Sequence, residues 1–547
     1  MSGDSTYNYK GSKEFTIENG VLKGAVVPPT TKHTNLGEWI LESLRAQPEF
    51  VGQVDGSTGR KETFAEMAEK SVKCAMWLKK QNIEPGDIVG ICTHVQMDMY
   101  VPCFASLYTG AIFNPWWDVG LTKGMTRHFI TLTKPKVLFA NAASAEMAVE
   151  VARELGVEMK VVILGKLKGF QSLDEILASQ DSKVVPDFRC TKLSSIDDPA
   201  VIVYTSGSTG LPKGVLHSHK LFIRTMRVEK LCDTVGPVTT MMYSPLGWAT
   251  CVIFMAKGAL QPETRVIPPE FSEETTFQLI EKFKVNWMLL GKSSAFRLQK
   301  SSAISSYDIS SLKEIVVTGG VLKDETQKAI AASFPQTIVR QAYGSTEAGC
   351  VVLETKTVSK AGSCGTIVQN FSMKVVDTEN GKILGPNQTG EACFKSPYMM
   401  ICYYNNPEAT REILDADGWL HTGDLVHYDE EGYVFVTDRI KEIMKYRGNH
   451  VSPAMIEKVL QEHPEVTEAA VVSIPHDVDD EHPIAFVVTT PAAKVTEIDL
   501  EELVADTLPS HMKLRGGVKF MKELPHTSSG KIARAELKKL AASYARS

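Results

Sequence analysis

Tyr204-Thr-Ser-Gly-Ser-Thr-Gly-Leu-Pro-Lys-Gly214 is the stretch whose reading decides the rest of the chain. It follows Ala200-Val-Ile-Val-Tyr204, a continuous apolar run that reads as a buried strand, and it precedes a stretch that reads as helical. Gly207, Gly210 and Gly214 remove side chains where backbone must bend or approach a ligand. Thr205, Ser206, Ser208 and Thr209 supply hydroxyls, and Lys213 supplies a cation. Backbone N–H groups in such a loop form an anion-binding concavity. A helix N-terminus behind the loop is expected to add a favourable dipole. The pattern differs from a Walker A loop, which needs four residues between a glycine and Gly-Lys-Ser/Thr, and from Gly-x-Gly-x-x-Gly. A Gly/Ser-rich stretch in isolation is more often a plain flexible loop; the strand before it and the embedded Pro-Lys-Gly weigh against that here.

Outward from this loop, short apolar runs alternate with helical patterns. Glu314-Ile-Val-Val317 and Thr337-Ile-Val-Arg340 read as strands, with a helix from Asp324 to Ser333 between them. That is a βαβ unit, whose ligand edge lies at the C-terminal ends of its strands. Met241 to Leu260 reads as a strand, a turn and a helix, because Pro245 and Lys257 interrupt it as a membrane span. The texture changes near residue 438, after the strand Tyr433-Val-Phe-Val-Thr437. Ser452-Pro453 reads as an N-cap with proline at the first helical position, opening a helix to about His463. Ala469–Ile474 and Ile484–Thr489 read as strands around an acidic, turn-rich loop, and Thr496 as the cap of a further helix. The expected fold class is α/β. A large N-terminal body of stacked α/β subdomains spans 1–437, a hinge 438–441, and a small mobile α+β domain 442–547.

Composition narrows the function classes. The chain has 547 residues, of which 43% are hydrophobic, so a large core is available and disorder is excluded. Its 59 Lys and Arg against 65 Asp and Glu leave a net charge of −6, with no cationic excess for nucleic acid or anionic lipid. The ten cysteines form no Cys-x-x-Cys pair, which speaks against a disulfide framework or zinc site and for a reducing compartment. The first residues do not read as a secretory leader and the last three are not Ser-Lys-Leu, so a cytoplasmic location is expected, with a peroxisomal one as the alternative. The basic tail from His511 reads as a solvated face, with Lys531 as the exception.

Three further clusters give the loop its meaning: Tyr343-Gly-Ser-Thr-Glu347, Gly418-Trp-Leu-His-Thr-Gly-Asp424 read as a turn, and Ser528-Ser-Gly-Lys-Ile-Ala-Arg534. In this order and spacing, the four resemble the adenylate-forming superfamily: acyl-CoA synthetases, aryl-CoA ligases, beetle luciferases and peptide-synthetase adenylation domains. The resemblance covers nearly all of the chain after about residue 35. It implies a body, a mobile lid, and an active site in the cleft between them. ATP, Mg²⁺ and coenzyme A are the implied cofactors, with O₂ replacing coenzyme A in a luciferase. The implied partner is a small carboxylic acid, with no carrier domain in the chain.

The resemblance also assigns roles. The 204–214 loop, including Thr205, Ser206, Gly207, Ser208, Thr209, Gly210 and Lys213, would hold the triphosphate. Thr346 would touch the α-phosphate and Glu347 would help to hold Mg²⁺. Tyr343 would pack on adenine, with Gly319, Gly320, Gln341 and Gly344 around the nucleotide. Asp424 would accept from the ribose hydroxyls and Arg439 would reach the nucleotide. Asp438 would be the hinge. Lys531 would bridge the acyl carboxylate and the α-phosphate. Lys445, also implied as catalytic, and Gly448, in the pantetheine tunnel, would face the site in the second half-reaction. Elementary electrostatics agrees with this scheme. A carboxylate attacking a phosphate brings two anions together, so catalysis is mostly positioning and charge neutralisation.

Lys445-Tyr-Arg-Gly448 and Lys513-Leu-Arg-Gly-Gly517 most resemble insect luciferase-like acyl-CoA synthetases. Where beetle luciferases carry His-His-Gly-Phe, this chain reads Ser244-Pro-Leu-Gly-Trp248, closer to acetyl- and medium-chain-acid synthetases. The leading reading is an acid–CoA ligase, with a luciferase-type monooxygenase and a non-catalytic nucleotide binder as alternatives. Trp248 is assigned to the acyl pocket with Ala342 and Ser345, and simple core packing is the competing reading for it. His217 and His219 read as helix-surface residues. Trp248→Ala is expected to broaden chain-length preference across a panel of acids; an unchanged acid profile would place Trp248 outside the pocket.

Overall fold

Pro199–Thr205 forms the strand that the apolar run before the loop predicts, with all of Ala200–Tyr204 buried. The computed structural model describes residues 15–28, 31–205, 211–225, 238–320, 322, 324–354, 360–447, 449–476, 478–491, 493–527 and 531–544. Ser206, Gly207, Ser208, Thr209, Gly210 and Gly448 lie outside the described residues.

The body is built on two large sheets. An eight-stranded sheet runs through Cys402–Tyr403, Lys213–Ser218, Pro199–Thr205, Ile112–Trp116, Ile88–Cys92, Val137–Ala140, Lys160–Ile163 and Gln171–Ser172. A nine-stranded sheet carries Ile338–Ser345, Glu314–Thr318, Trp287–Gly291 and Thr239–Met242 as parallel neighbours. The expected βαβ unit is present, with the helix Asp324–Ser333 joining parallel strands. Met241 to Leu260 forms strand and helix as read. Helices such as Phe64–Lys80 and Tyr100–Thr109 bury Trp77, Tyr100 and Phe104 against the eight-stranded sheet. A capping box at Thr63 satisfies the first turn of the former. No helix among the described residues is long and apolar enough to cross a membrane.

A six-stranded antiparallel sheet completes the body and ends with Leu420–Tyr428 and Val434–Arg439. The Gly418–Asp424 segment therefore lies largely on a strand rather than in a turn. The C-terminal part is a separate five-stranded sheet beginning at Met444–Tyr446. Ser452 caps Pro453–Glu462 as expected, accepting from the Met455 N–H. The strands Val466–His476 and Asp480–Thr489 extend further than the sequence reading, pairing through His476↔Asp480 into the acidic segment read as loop.

One correction bears on the loop itself. The residues after it form a strand, Lys213–Ser218, antiparallel to Pro199–Thr205, and only then a short helix, Lys220–Thr225. Val215 and Leu216 are sandwiched between Val203 and Ile202 on one side and Tyr403 and Cys402 on the other. Two flanking strands override the helical reading, and among the described residues it is a strand that follows the loop directly. His217 and His219 are consequently buried rather than on a helix surface. The Leu36 N–H donates to Nδ1 of His219, and Nε2 of His217 faces the Thr346 carbonyl at 2.8 Å.

Burial pushes both imidazoles down to about 4. An unfolded histidine protonates near 6.5, so between these values the unfolded chain binds more protons. The stability from each neutral ring is present above about pH 6.5 and declines as pH falls toward 4, by about 3 kcal/mol per ring at most. Urea midpoints are expected to fall through this window, and His217→Gln, which retains a donor for Thr346, should flatten the slope. An unaltered slope would mean that His217 titrates like a free histidine.

Candidate active site

Asp424 and Arg439 face each other across the last two strands of the six-stranded sheet. Arg439 Nε lies 2.8 Å from Asp424 Oδ1, and the Tyr343 hydroxyl donates to Oδ2, also at 2.8 Å. Tyr343 comes from the nine-stranded sheet, so the buried Asp424 carboxylate joins the two. The strand residues before it are held tightly. Asp424 N–H donates to Thr422 Oγ1 at 3.0 Å, and Gly423 N–H donates to Glu391 at 2.9 Å. Burial raises the Asp424 pKa, while Arg439, Tyr343 and Lys531 pull it back. Burial also drives the Tyr343 hydroxyl well above its ordinary range, and the Asp424 charge adds to this. Tyr343 is thus a fixed donor to a carboxylate.

The second cluster centres on Thr346 and Glu347, which follow the strand Ile338–Ser345 directly. His217 fixes the Thr346 carbonyl, and the Met400 N–H donates to the Glu347 carbonyl at 2.8 Å. The Tyr403 hydroxyl donates to Glu347 Oε1 at 2.7 Å. Lys213 sits over the Tyr403 ring at 4.9 Å and 4.0 Å from Glu412. Lys213 also pairs with Thr205 across the hairpin that flanks the loop. The loop's cation and Glu347 therefore meet on either side of one tyrosine. Ser345 Oγ accepts from the Ala348 N–H and closes the turn. Gly344 is required there, because a Cβ would stand 2.1 Å from the Gly349 carbonyl oxygen.

The segment of the C-terminal part between Val518–Phe520 and the helix Arg534–Tyr544 brings Lys531 within electrostatic range of this neighbourhood. Its side chain is exposed to solvent. Partial desolvation lowers its pKa first and the Arg439 charge second, against attraction from Asp424, Glu347 and Glu442. Asp438 accepts from the Ser452 hydroxyl and from the Arg439 N–H at 2.8 Å. The residue read as hinge thereby ties the last body strand to the first helix of the C-terminal part.

The remaining predicted residues are placed unevenly. Gly319, at φ +82°, and Gly320 follow the strand Glu314–Thr318 at the ligand edge. Gln341 is buried, and its amide is committed to Leu322, Gln327 and Ser363, so it braces the wall and presents no free group. Ala342 packs at the margin of a small apolar cluster around Met242 and Trp287. Trp248 is half-buried at the start of the helix Ala249–Leu260 and belongs to none of the core clusters among the described residues. Lys445 is exposed on Met444–Tyr446, its N–H bonded to Glu481, and is not brought to the Lys531 cluster. Tyr403, His217 and Ser452 were missed as site residues. His217 carried a legible signal, since it stands inside the run Val215–Ser218 that a strand reading would have buried.

Residues 41–404 match the AMP-binding enzyme family, and residues 455–531 match the AMP-binding enzyme C-terminal domain. The chain belongs to this family of adenylate-forming enzymes. It is 32% identical over 528 residues to luciferin 4-monooxygenase of Photuris pensylvanica, covering 92% of this chain and 95% of that one. It is 31% identical over 509 residues to 4-coumarate–CoA ligase 3 of Oryza sativa subsp. japonica, covering 89% and 88%. Among solved structures, the luciferase-like enzyme of the nonluminescent mealworm Zophobas morio is similar at 29% identity and a TM-score of 0.72, covering 77% of this chain and 99% of that one. An anthranilate CoA ligase bound to anthranoyl-AMP shares the fold at a TM-score of 0.84 and 22% identity, covering 95% and 99%.

Removing the Tyr403 hydroxyl should loosen Glu347 without disturbing the sheet edge. Tyr403→Phe is expected to raise the Mg²⁺ concentration needed for half-maximal activity by about tenfold, the scale of one hydrogen bond to a charged group. A titration curve matching the parent would contradict the expectation from the sequence that Glu347 helps to hold Mg²⁺.

Proposed function

We propose that this enzyme joins a carboxylic acid to coenzyme A through an acyl-adenylate. The observation that carries the reading is Lys531 of the C-terminal part standing within electrostatic reach of Asp424, Arg439 and Glu347 of the body. In the first step a carboxylate oxygen attacks the α-phosphorus of ATP. The bond from that phosphorus to the bridging oxygen breaks, and pyrophosphate leaves. Lys531 neutralises charge between the attacking carboxylate and the phosphate, as a compact cation on a long stem is suited to do. Lys213 and the loop following Thr205 hold the triphosphate. Asp424, oriented by Tyr343 and Arg439, accepts from the ribose hydroxyls. Oε2 of Glu347 accepts no hydrogen bond among the described residues, and an oxygen donor of this kind fits Mg²⁺. Bound there, the metal would offset phosphate charge.

In the second step a thiol sulfur attacks the adenylate carbonyl, the carbon–oxygen bond to phosphate breaks, and AMP leaves. Lys445, exposed and with its N–H on Glu481, would reach the site only after the C-terminal part turns about Asp438 and Lys531 withdraws. Similarity to luciferin monooxygenases supports a second reading, in which O₂ takes the same adenylate onward with light emission. Ser244–Trp248 replaces the luciferin-lining stretch and favours the ligase.

Lys531→Ala is expected to slow adenylate formation by about 10²–10³-fold, the cost of removing one partner of transition-state charge. Thioester formation from supplied acyl-adenylate should largely survive. Equal loss in both half-reactions would contradict the role of Lys531, and photons without acyl-CoA would favour the oxygenase reading.

A further inference from the structure

Lys292 is a cation that the adenylation chemistry leaves unused. It opens the helix Lys292–Lys300 directly after the strand Trp287–Gly291, at the C-terminal edge of the nine-stranded sheet. Gly291 pairs with Thr318, which sets Lys292 beside Gly319 and Gly320. Its stem lies along Gly320, where a Cβ would meet Lys292 Cδ at 3.5 Å and Cβ at 3.7 Å. At Gly291 and Gly319 a Cβ would meet nothing within 4 Å. The Gly291 and Gly319 edges thus leave open space on either side of the residue pair Lys292 and Gly320. The helix start also lacks a side-chain cap, so its first N–H groups are not answered by the Gly291 position.

Among the described residues, Lys292 makes no hydrogen bond or ion pair. The acids that face it belong to the C-terminal part and are committed elsewhere. Glu457 pairs with Arg534 at 2.6 and 2.9 Å and accepts from the Val471 N–H at 2.8 Å. Glu468 contacts His526 at 2.9 Å. Arg534 itself adds a like charge. Desolvation is the main influence on the Lys292 ammonium and lowers its pKa. A partly desolvated cation without a partner is costly, and an anion entering beside it offsets the cost. The triphosphate already has Lys213, the ribose side has Arg439, and the reacting carboxylate has Lys531.

Building on the proposed ligase function, we infer that Lys292, beside the open edges of Gly291 and Gly319, receives a second carboxylate on the acid substrate, distal to the one that reacts. The substrate class is then a dicarboxylic acid or an aromatic acid with a second anionic substituent. A lysine suits this task, because its flexible stem follows anions set at different distances from the reacting group.

The test uses the full chain and ATP–pyrophosphate exchange without coenzyme A, with matched acids: octanoate against octanedioate, and benzoate against benzene-1,4-dicarboxylate. The parent enzyme should favour the diacid of a pair in kcat/KM. Lys292→Met should lower the diacid-to-monoacid ratio by about tenfold or more, chiefly through KM, as expected for a lost charge-assisted contact. Lys292→Arg should retain most of the ratio and shows that the fold survives. A parent preference for monoacids, or a ratio unmoved by Lys292→Met, would overturn the inference while leaving adenylation intact. In a companion assay of thioester formation, a Lys292→Met effect confined to the KM for coenzyme A would place the anion on the thiol donor and overturn it too. Absence of exchange with every acid would instead defeat the ligase reading, and the subsite with it.

Discussion

Repulsion between two anions is the constraint on which the site depends. A carboxylate and a phosphate do not approach each other unless cations stand between them, and on the reading proposed above the decisive cation comes from a connecting segment of the C-terminal part, between the strand Val518–Phe520 and the helix Arg534–Tyr544. Lys531 belongs to the C-terminal part, whereas Asp424, Arg439 and Glu347 belong to the body. Neither half holds a complete site. The contact of Asp438 with Ser452 spans the junction between the two parts.

The body prepares for the incoming lysine through fixed polar contacts more than through shape. Asp424 is buried but doubly satisfied by Arg439 and Tyr343, which keeps a carboxylate where its desolvation would otherwise favour the neutral form. Glu347 is oriented by Tyr403, and both carbonyls of the Thr346–Glu347 segment are held, one by a buried neutral histidine and one by the Met400 N–H. Three sheets contribute to this small volume. A residue that moves by a fraction of an ångström on one of them is therefore felt by the others.

Much of this was legible from the residues. The strand before Thr205, the βαβ unit around Asp324–Ser333 and the Ser452 cap follow from apolar periodicity and capping chemistry, which are local properties. Asp424 and Tyr343 were named from their motifs, but their hydrogen bond was not readable, since it joins residues 81 positions apart. The stretch after Gly214 misled because a short buried strand and a short helix share the same apolar density. Only the flanking strands Pro199–Thr205 and Cys402–Tyr403 decide between them. Tyr403 and Lys292 stand outside every motif, and their relevance arises purely from where the sheets place them.

The central claim is that an acid oxygen becomes bonded to the α-phosphorus of ATP. Turnover with an acid whose carboxylate carries isotopically heavy oxygen tests it without reference to the later fate of the acyl group. The account predicts one heavy oxygen in the AMP released and none in pyrophosphate. Heavy oxygen found in a phosphate derived from the β or γ position, or missing from AMP altogether, would contradict it.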